Sequence, residues 1–342
     1  MDSRYLFYLV RTRDFIEKIS GLTQGALYPA AKSADVREYQ FPLAPLSEQI
    51  RIADMLDRVL ARVNAAQSRL DKIPALIKRF RQSVLAAATS GELTQEWRDM
   101  HNIDPTYVTL GDAGVVIKTG PFGSALHKEE YIHGGIPVIN PMHIKDGEIA
   151  PSSDMTITES KFDELNAWHL QEGDIVIGRR GEMGRAAEVP KHSGSMLCGT
   201  GSMIIRSEPE RILPAFLCLV LRSPNAIRYF EGNAIGSTMV NLNQKVIKNL
   251  PFHYPSLDEQ KEIVRRVESL FAIADNVEKQ YQDARARTDR LTQAILAKAF
   301  RGELVPQNPD DEPAEALLQH IQQQRAEQAT AGKRGKARKV SG

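Results

Sequence analysis

The sequence predicts an α+β protein in which one mixed α/β domain lies between two long helices. Two stretches, beginning near residues 47 and 257, place apolar side chains in alternating steps of three and four residues. This is the heptad pattern of helices that pair with each other. Between them, residues 105–250 form short apolar runs separated by Gly, Pro and Ser, which is typical of strands joined by turns.

The two helical stretches are copies of one repeated unit. The segment "APLSEQIRIADMLDRV" at 44–59 returns as "PSLDEQKEIVRRVESL" at 255–270. An offset of 211 residues relates the copies and holds over roughly 80 residues, which indicates an internal repeat. The matched pairs include Phe41 with Phe252, Glu48 with Glu259, Gln49 with Gln260, and Gly91 with Gly302.

Each copy carries an apolar seam that predicts one long helix. A narrow stripe sustained for about six heptads favours a single partner helix over a broad core. The predicted seam residues include Ile52, Val63, Leu70, Ile77 and Val84 in the first copy, and Ile263, Val267, Leu270, Val277, Leu291 and Ile295 in the second.

The residues around the seams predict where the helices begin and end. Ser47 and Asp258 follow Pro-containing loops and are predicted N-caps. Gly91 and Gly302 are predicted helix ends. Each helix would then have about 43 residues and a length of about 65 Å. Pro74 is expected to kink the first helix because proline removes a backbone donor.

The strand-rich domain contains four apolar runs that predict strands, "GVVIKTG", "GIPVINPMHI", "GDIVIGRRG" and "GSMIIRSE". Near its end, "LPAFLCLVLRSPNAIRYFEG" predicts a helix with a 3.6-residue period. A polar loop, "NAIGSTMVNLNQKVIKNLPF", then leads into a short strand. The domain is long enough to bury its own core.

Composition limits the classes of function. The formal net charge is +1, and residues 105–250 hold 14 Lys and Arg against 16 Asp and Glu, so any attraction to nucleic acid must be local. Cys198 and Cys218 have no metal-ligand spacing and predict buried thiols in a reducing compartment. No apolar run is long enough to span a bilayer. We expect a cytoplasmic protein with no membrane contact.

The first 46 residues repeat only the end of the strand-rich domain. Residues 5–46 match 216–257, whereas no part of the chain matches the first 110 or so residues of the strand-rich domain. A segment of this size does not normally maintain a core alone. It is therefore expected to pack on the long helices, to pair with another chain, or to be poorly ordered.

Five motifs, in their order along the chain, carry a resemblance to a known family. They are "TLGDAGVVIKTGPFGS", "GIPVINPMHIKDGEI", "GDIVIGRRGEMGR", "GSTMVNLNQKVIKNLPFHYPSLDEQKEIV" and "AILAKAFRGELVPQ". Together with the repeat, they resemble the specificity subunit of a type I restriction-modification system that lacks most of its first target-recognition domain.

The resemblance implies an architecture and a division of labour. Residues 1–46 would be the remnant of the first target-recognition domain, and 105–250 a complete one. The central conserved helix, 47–98, and the distal conserved helix, 257–304, would pair as an antiparallel coiled coil, followed by a partly disordered polar tail at 305–342. Each recognition domain would read one half of a split DNA target, and the helix ends would bind modification (methyltransferase) subunits.

The resemblance also implies partners and cofactors. Restriction subunits would join through the assembled complex. S-adenosylmethionine, ATP and Mg²⁺ would be bound by partner subunits for adenine methylation and restriction, and none by this chain. Self-association as a homodimer, or a complementary specificity fragment, would supply the second half-site. The alternatives are a non-catalytic coiled-coil scaffold and a nonfunctional truncated subunit.

Candidate DNA contacts lie on polar loops, several of them rich in glycine. Arginine and lysine suit phosphates and guanine edges, while side-chain amides suit adenine edges. A solvated turn, or an Asn-rich turn that satisfies its own backbone, is the alternative. For His143 we expect a structural role. The candidates are Lys118, Thr119, Ser124, Lys128, Asn140, Lys145, Arg179, Arg180, Arg185, Ser237, Thr238, Asn241, Asn243, Gln244 and Lys245.

The repeated helix starts are candidate docking surfaces, since two equivalent modification subunits need two equivalent sites. Glu48, Gln49, Glu259 and Gln260 are the candidates, and we expect Gln49 and Gln260 to be exposed. No methyltransferase motif and no Walker motif is present, and the eight histidines have no metal-ligand spacing. We therefore expect neither catalytic residues nor a metal site.

Overall fold

The computed structural model describes the backbone of residues 1–23, 30–233 and 241–339, and the side chains of those residues up to 327. It forms two compact units, one of Met1–Pro74 with Glu278–Gly342 and one of Ala75–Val277. We call them the first and second units. The helices are α1 (Ser3–Leu9), α2 (Arg13–Gly21), α3 (Ser33–Arg37), α4 (Leu46–Leu70), α5 (Ile73–Ser90), α6 (Gln95–His101), α7 (Glu159–Glu164), α8 (Pro214–Arg222), α9 (Pro224–Asn233), α10 (Gln244–Lys248), α11 (Leu257–Phe300) and α12 (Ala314–Lys339).

The strands lie in the second unit and are short. They are β1 (Tyr107–Thr109), β2 (Val116–Thr119), β3 (Ile136–Ile139), β4 (Ile144–Lys145), β5 (Glu148–Ile149), β6 (Thr156–Ile157), β7 (Ile175–Gly178), β8 (Ala186–Glu188), β9 (Leu197–Cys198), β10 (Ser202–Arg206) and β11 (Pro251–His253). The α+β class is confirmed, and each of the four apolar runs contains a strand.

The internal repeat is a repeat of structure as well as of sequence. At the offset of 211 residues, α1, α2, α3 and α4 begin where α8, α9, α10 and α11 begin. Thr12 caps α2 by accepting from the amide of Phe15, and Ser223 accepts in the same way from the amide of Ala226. The described part of the first 46 residues therefore repeats the helical end of the strand-rich domain.

The long helices begin one residue before the predicted caps. α4 begins at Leu46 and α11 at Leu257, so Ser47 and Asp258 lie inside the first turn and the cap prediction is wrong. Before α11, the hydroxyl of Ser256 accepts from the amide of Glu259 at 3.3 Å. The predicted helix ends are confirmed, because Gly91 and Gly302 adopt φ of 83° and 75°, which glycine tolerates best.

Proline interrupts the first helical stretch as expected. α4 ends at Leu70, and α5 begins at Ile73 with Pro74 in its first turn, where the missing amide proton has no helical partner to lose. By contrast, α11 is one unbroken helix of 44 residues. The tail, expected to be partly disordered, contains α12.

In the first unit, α4 and the end of α11 run antiparallel. Ile52, early in α4, shares a core with Leu296 and Ala299, late in α11. Gln67, late in α4, donates to Asp289 at 3.0 Å. The first helix, α1, adds Tyr5 and Tyr8 to this core. Of the three expectations for residues 1–46, packing on a long helix is the one observed, while 24–29 lie outside the described residues.

In the second unit, α5 and the start of α11 also run antiparallel. Arg81 donates to Asp275 at 2.5 Å, and Arg266 donates to the carbonyl of Leu93 at 2.8 Å. The seam prediction is wrong at Val277 and Leu291, which are 41% and 51% exposed. A straight helix of 3.6 residues per turn drifts away from a strict heptad, so a regular spacing does not keep every position buried.

The strand-rich domain is built on small sheets. The main one is antiparallel, in the order β2-β10-β7-β8, and a second has the order β6-β3-β9 with β3 and β9 parallel. β1 pairs with β11, which brings the two ends of the domain together. The core extends onto the helices through Val84 and Ile263.

The helical end of this domain differs in detail from the prediction. The expected single helix is divided at Ser223 into α8 and α9. The expected polar loop contains α10, a helix of five residues. Ser223 breaks the pattern because its side chain caps the second helix.

Candidate nucleic-acid interface

Three loops meet at one end of the main sheet. β2 and β7 end there, and β10 begins there, since Thr119 pairs with Met203 and Gly178 pairs with Ser202. The backbone approach is close: a Cβ atom at Gly120 would lie 2.1 Å from the carbonyl oxygen of Gly199. Glycine is therefore required for this loop packing.

Hydrogen bonds join candidates from three separate motifs at this sheet end. The amide of Gln244 donates to the hydroxyl of Thr119 at 3.1 Å. The guanidinium of Arg180 donates through Nε to Asn241 at 2.9 Å. The amide of Leu242 donates to the carbonyl of Arg179 at 2.9 Å. We call the surface formed by Lys118, Thr119, Arg179, Arg180, Asn241 and Gln244 the sheet-end surface.

The sheet-end surface presents positive charge. Lys118 and Arg180 are exposed. Burial, together with the charge of Arg180, lowers the pKa of Arg179. The Nε of Arg179 is buried and has no hydrogen-bond partner in the part of the chain that the structure describes. A bound anion would relieve both conditions, so the surface is suited to a phosphate or another acceptor.

An aromatic residue that the sequence did not single out supports the same surface. The Nζ of Lys118 lies 5.8 Å from the ring centre of Trp168, within cation–π range. The indole of Trp168 donates to the carbonyl of Thr119 at 2.9 Å. A tryptophan in the polar stretch "NAWHL" was the available signal, but its partner lies 49 residues away.

Two of the amide candidates have structural roles. Asn243 caps α10 by accepting from the amide of Val246 at 2.9 Å. Asn140 is buried, and its side chain accepts from the amide of Gly201 at 3.4 Å. The side-chain oxygens of both residues are thus used within the chain, and the expectation that these amides contact DNA stays a prediction. The structural role expected for His143 is confirmed, since its Nδ1 accepts from Asn140 and burial lowers its pKa.

The remaining candidates lie away from the hydrogen bonds of the sheet-end surface. Lys145 and Arg185 line a cavity of about 400 Å³. The charge of Arg185 is compensated by Glu182, at 2.8 Å. Ser124 and Lys128 are exposed on the loop after β2, and Lys245 is exposed on α10. Ser237 and Thr238 lie outside the described residues.

The four docking candidates are buried, so the exposure predicted for Gln49 and Gln260 is wrong. Gln49 and Gln260 are 0% exposed, and Glu259 is also 0% exposed. Gln260 donates to the carbonyls of Arg211 and Pro255. Glu259 accepts from Thr94 and Arg98. Glu48 is 6% exposed. In this structure Gln49, Glu259 and Gln260 join segments of the chain.

Among the described residues, no group of three or more His, Cys, Asp or Glu side chains is placed to hold a metal ion. Within the same residues, no helix combines the length and apolar character that crossing a membrane requires.

Comparisons with known proteins identify the family. Residues 103–284 match the family described as type I restriction modification DNA specificity domain. The chain is 34% identical to the specificity subunit of type I restriction enzyme EcoKI from Escherichia coli K12, over 98% of this chain and 74% of that protein. It is 36% identical to the StySPI specificity subunit from Salmonella potsdam, over the same shares.

Solved structures show the same fold. The HsdS subunit from Thermoanaerobacter tengcongensis aligns with a TM-score of 0.51 and 21% identity, over 89% of this chain and 71% of that chain. A chain from a structure on complex assembly and conformational transition of the type I restriction-modification system aligns with a TM-score of 0.63 and 21% identity, over 88% and 71%. The chain belongs to the family of type I restriction enzyme specificity subunits.

Proposed function

We propose that this specificity subunit reads one half of a split DNA target through the sheet-end surface and holds modification subunits on its paired helices. The observation that carries the DNA-reading part is the convergence of Thr119, Arg180 and Gln244. Thr119 ends β2, Arg180 follows β7 and Gln244 begins α10; at this sheet end Gln244 donates to Thr119, and Arg180 donates to Asn241, three residues before Gln244. Structural stability alone does not require exposed charge and amides to gather there.

The chemistry of the surface fits a duplex. Arginine can make a two-point contact with a guanine edge, and glutamine or asparagine with an adenine edge. Lys118, exposed beside the aromatic face of Trp168, suits a phosphate. The net charge of the domain is slightly negative, so binding would depend on this local surface and would weaken as salt is added.

Catalysis would belong to other polypeptides of the complex. S-adenosylmethionine would serve adenine methylation by the modification subunits, and ATP with Mg²⁺ would serve restriction subunits that join the assembled complex. This chain would supply position and sequence choice. Because it holds one recognition domain of the repeated design, a second copy or a complementary specificity fragment would supply the other half-site.

The test is methylation in cells. The chain would be expressed with its modification subunit, and genomic N6-methyladenine would be mapped by sequencing. We expect methylation at a defined split site that disappears when the chain is omitted. Methylation independent of the chain, or methylation without sequence preference, would overturn the proposal. Sequence-independent assembly with the modification subunit would instead favour the coiled-coil scaffold.

A further inference from the structure

The two copies of the repeat differ at one buried carboxylate. In the second unit, Glu259 accepts hydrogen bonds from Thr94 at 2.7 Å and from Arg98 at 2.6 Å. The same guanidinium donates to the carbonyl of Gly91 at 2.5 Å. Arg98 therefore bridges the helix start that holds Glu259 and the helix end that Gly91 closes.

In the first unit, both acceptors of such a bridge are present. Glu48 and Gly302 are the repeat equivalents of Glu259 and Gly91, and they line one cavity of about 240 Å³. This is several times the roughly 30 Å³ that a water molecule occupies. At the positions of Thr94 and Arg98 the chain has Val305 and Pro309, so the cavity holds no equivalent of Arg98 and is lined instead by Arg301 and by the side-chain amide of Gln307.

The side chain of Glu48 has no hydrogen-bond or ion-pair partner within the described residues, although the residue is only 6% exposed. The nearby cations have other partners. Arg51 pairs with Asp311 at 2.6 Å, and Arg301 pairs with Glu303 at 2.8 Å. The carboxylate of Glu48 lines the cavity, where its oxygens can accept a hydrogen bond from an incoming donor. The first turn of a helix favours a negative charge such as that of Glu48. Glu259 lies at the equivalent position of α11 and still binds an arginine.

We propose that the cavity at Glu48 and Gly302 receives an arginine from a second polypeptide. The guanidinium would donate to the carboxylate of Glu48 and to the carbonyl of Gly302, as Arg98 does to Glu259 and Gly91. The occupant is a short helix that presents one arginine, as α6 presents Arg98; it needs no equivalent of Thr94, because the buried side chain of Val305 fills that position. This proposal rests on the proposed function in one respect: the scaffolding role is the reason to expect that the donor belongs to another polypeptide.

The probe is a dye-labelled peptide with the sequence of residues 95–101, QEWRDMH, which leaves out Gly91–Thr94 because the chain's own Gly302–Val305 occupy those positions. Its binding to the full chain would be measured by fluorescence anisotropy, without DNA and without other subunits. We expect saturable binding that falls at least about tenfold with an Arg98→Ala peptide, since a charge-assisted pair is lost. An Arg98→Lys peptide should bind more weakly than the parent, because lysine lacks the planar fork.

Substitutions in the chain locate the site. Glu48→Gln should weaken the parent peptide at least about tenfold, whereas Glu38→Gln, which removes the same charge from an exposed position in the same unit, should leave binding unchanged. Thermal unfolding would show that both variants are folded. If the Glu48→Gln chain does not fold, the proposal is tested by comparing the binding of the parent, Arg98→Ala and Arg98→Lys peptides to the unaltered chain.

Three results would overturn the proposal. They are equal binding of the Arg98→Ala peptide, equal binding by a folded Glu48→Gln chain, and no binding up to roughly millimolar peptide, the weak end of specific recognition. These results are independent of DNA recognition. A chain that binds the peptide but directs no methylation would refute the proposed function alone.

Discussion

Gln49 and Gln260, which the repeat places 211 residues apart, make matching hydrogen bonds in the two units. The side-chain oxygen of Gln49 accepts from the amide of Asp2, and its nitrogen donates to the carbonyl of Ala44. Gln260 accepts from the amide of Leu213 and donates to the carbonyl of Pro255. Each glutamine therefore links the residue that precedes the first helix of its repeat copy, α1 or α8, to the start of the long helix, α4 or α11.

The first prediction concerns the hydrogen bonds of Gln260. Gln260→Leu leaves the amide of Leu213 without its acceptor, so the free energy of unfolding should fall by about 1–3 kcal/mol. Denaturation followed by circular dichroism measures the change. Gln282→Leu on the exposed face of α11 is the control and should change stability by less than about 0.5 kcal/mol. Equal effects would show that the buried hydrogen bonds of Gln260 contribute nothing specific.

The second prediction concerns the buried ion pair of Arg98 and Glu259, whose side chains are 10% and 1% exposed. Arg98→Ala should lower the free energy of unfolding by about 3–5 kcal/mol because it leaves a buried carboxylate unpaired. The variant Arg98→Met with Glu259→Met should recover part of the loss. Arg265→Ala, which breaks an exposed pair with Glu262, should cost less than about 1 kcal/mol. A loss of that size for Arg98→Ala would contradict the prediction.

The third prediction concerns alkaline pH and the docking of α1. Burial raises the pKa of Tyr5 to about 12, and burial and the hydrogen bond to Asp57 raise that of Tyr8 to about 12, from 10.0. A group whose pKa is higher in the folded state stabilises the protein below its unfolded pKa. The contribution is lost as pH rises, so the free energy of unfolding should fall between pH 10 and 12. The double variant Tyr5→Phe with Tyr8→Phe should show a smaller fall over that range, and an identical fall would refute the assignment.

The fourth prediction separates phosphate contacts from base contacts. Arg180→Ala and Lys118→Ala should weaken DNA binding on all sequences and make its salt dependence shallower, since fewer counterions are released. Gln244→Ala should relax preference at particular bases by about 1–3 kcal/mol. Arg185→Ala is the comparison, because Glu182 already compensates its charge and its effect should be smaller. If Arg180→Ala changes base preference and Gln244→Ala does not, the two roles are exchanged.

The sequence predicted the elements of this fold better than the contacts between them. Heptad spacing and apolar runs are local, so the helices and main strands could be located from short windows. The burial of Glu48 and Gln49 could not, because what covers them comes from residues far away in sequence, such as Asp2 on Gln49. Likewise, each loop of the sheet-end surface was visible as a polar motif. Its meeting with the others depends on the order β2-β10-β7, which long-range pairing decides.

The fifth prediction concerns the spacing of the target. If two copies associate, identical domains read both halves of the site, so the methylated sequence should be an interrupted palindrome. An asymmetric site would instead require a complementary specificity fragment. The paired helices would set the gap between the halves.

That gap can be changed through the pair of Gln67 and Asp289, which marks facing heptads of α4 and α11. Deleting residues 64–70 together with 286–292 removes one heptad from each helix and preserves the seam. Each helix shortens by about 10 Å, which corresponds to about three base pairs. Methylome sequencing should show the same two half-sites with a gap about three base pairs shorter. Deleting 64–70 alone leaves the facing heptad without a partner and should abolish methylation. An unchanged gap in the double deletion would show that the helices do not measure the DNA.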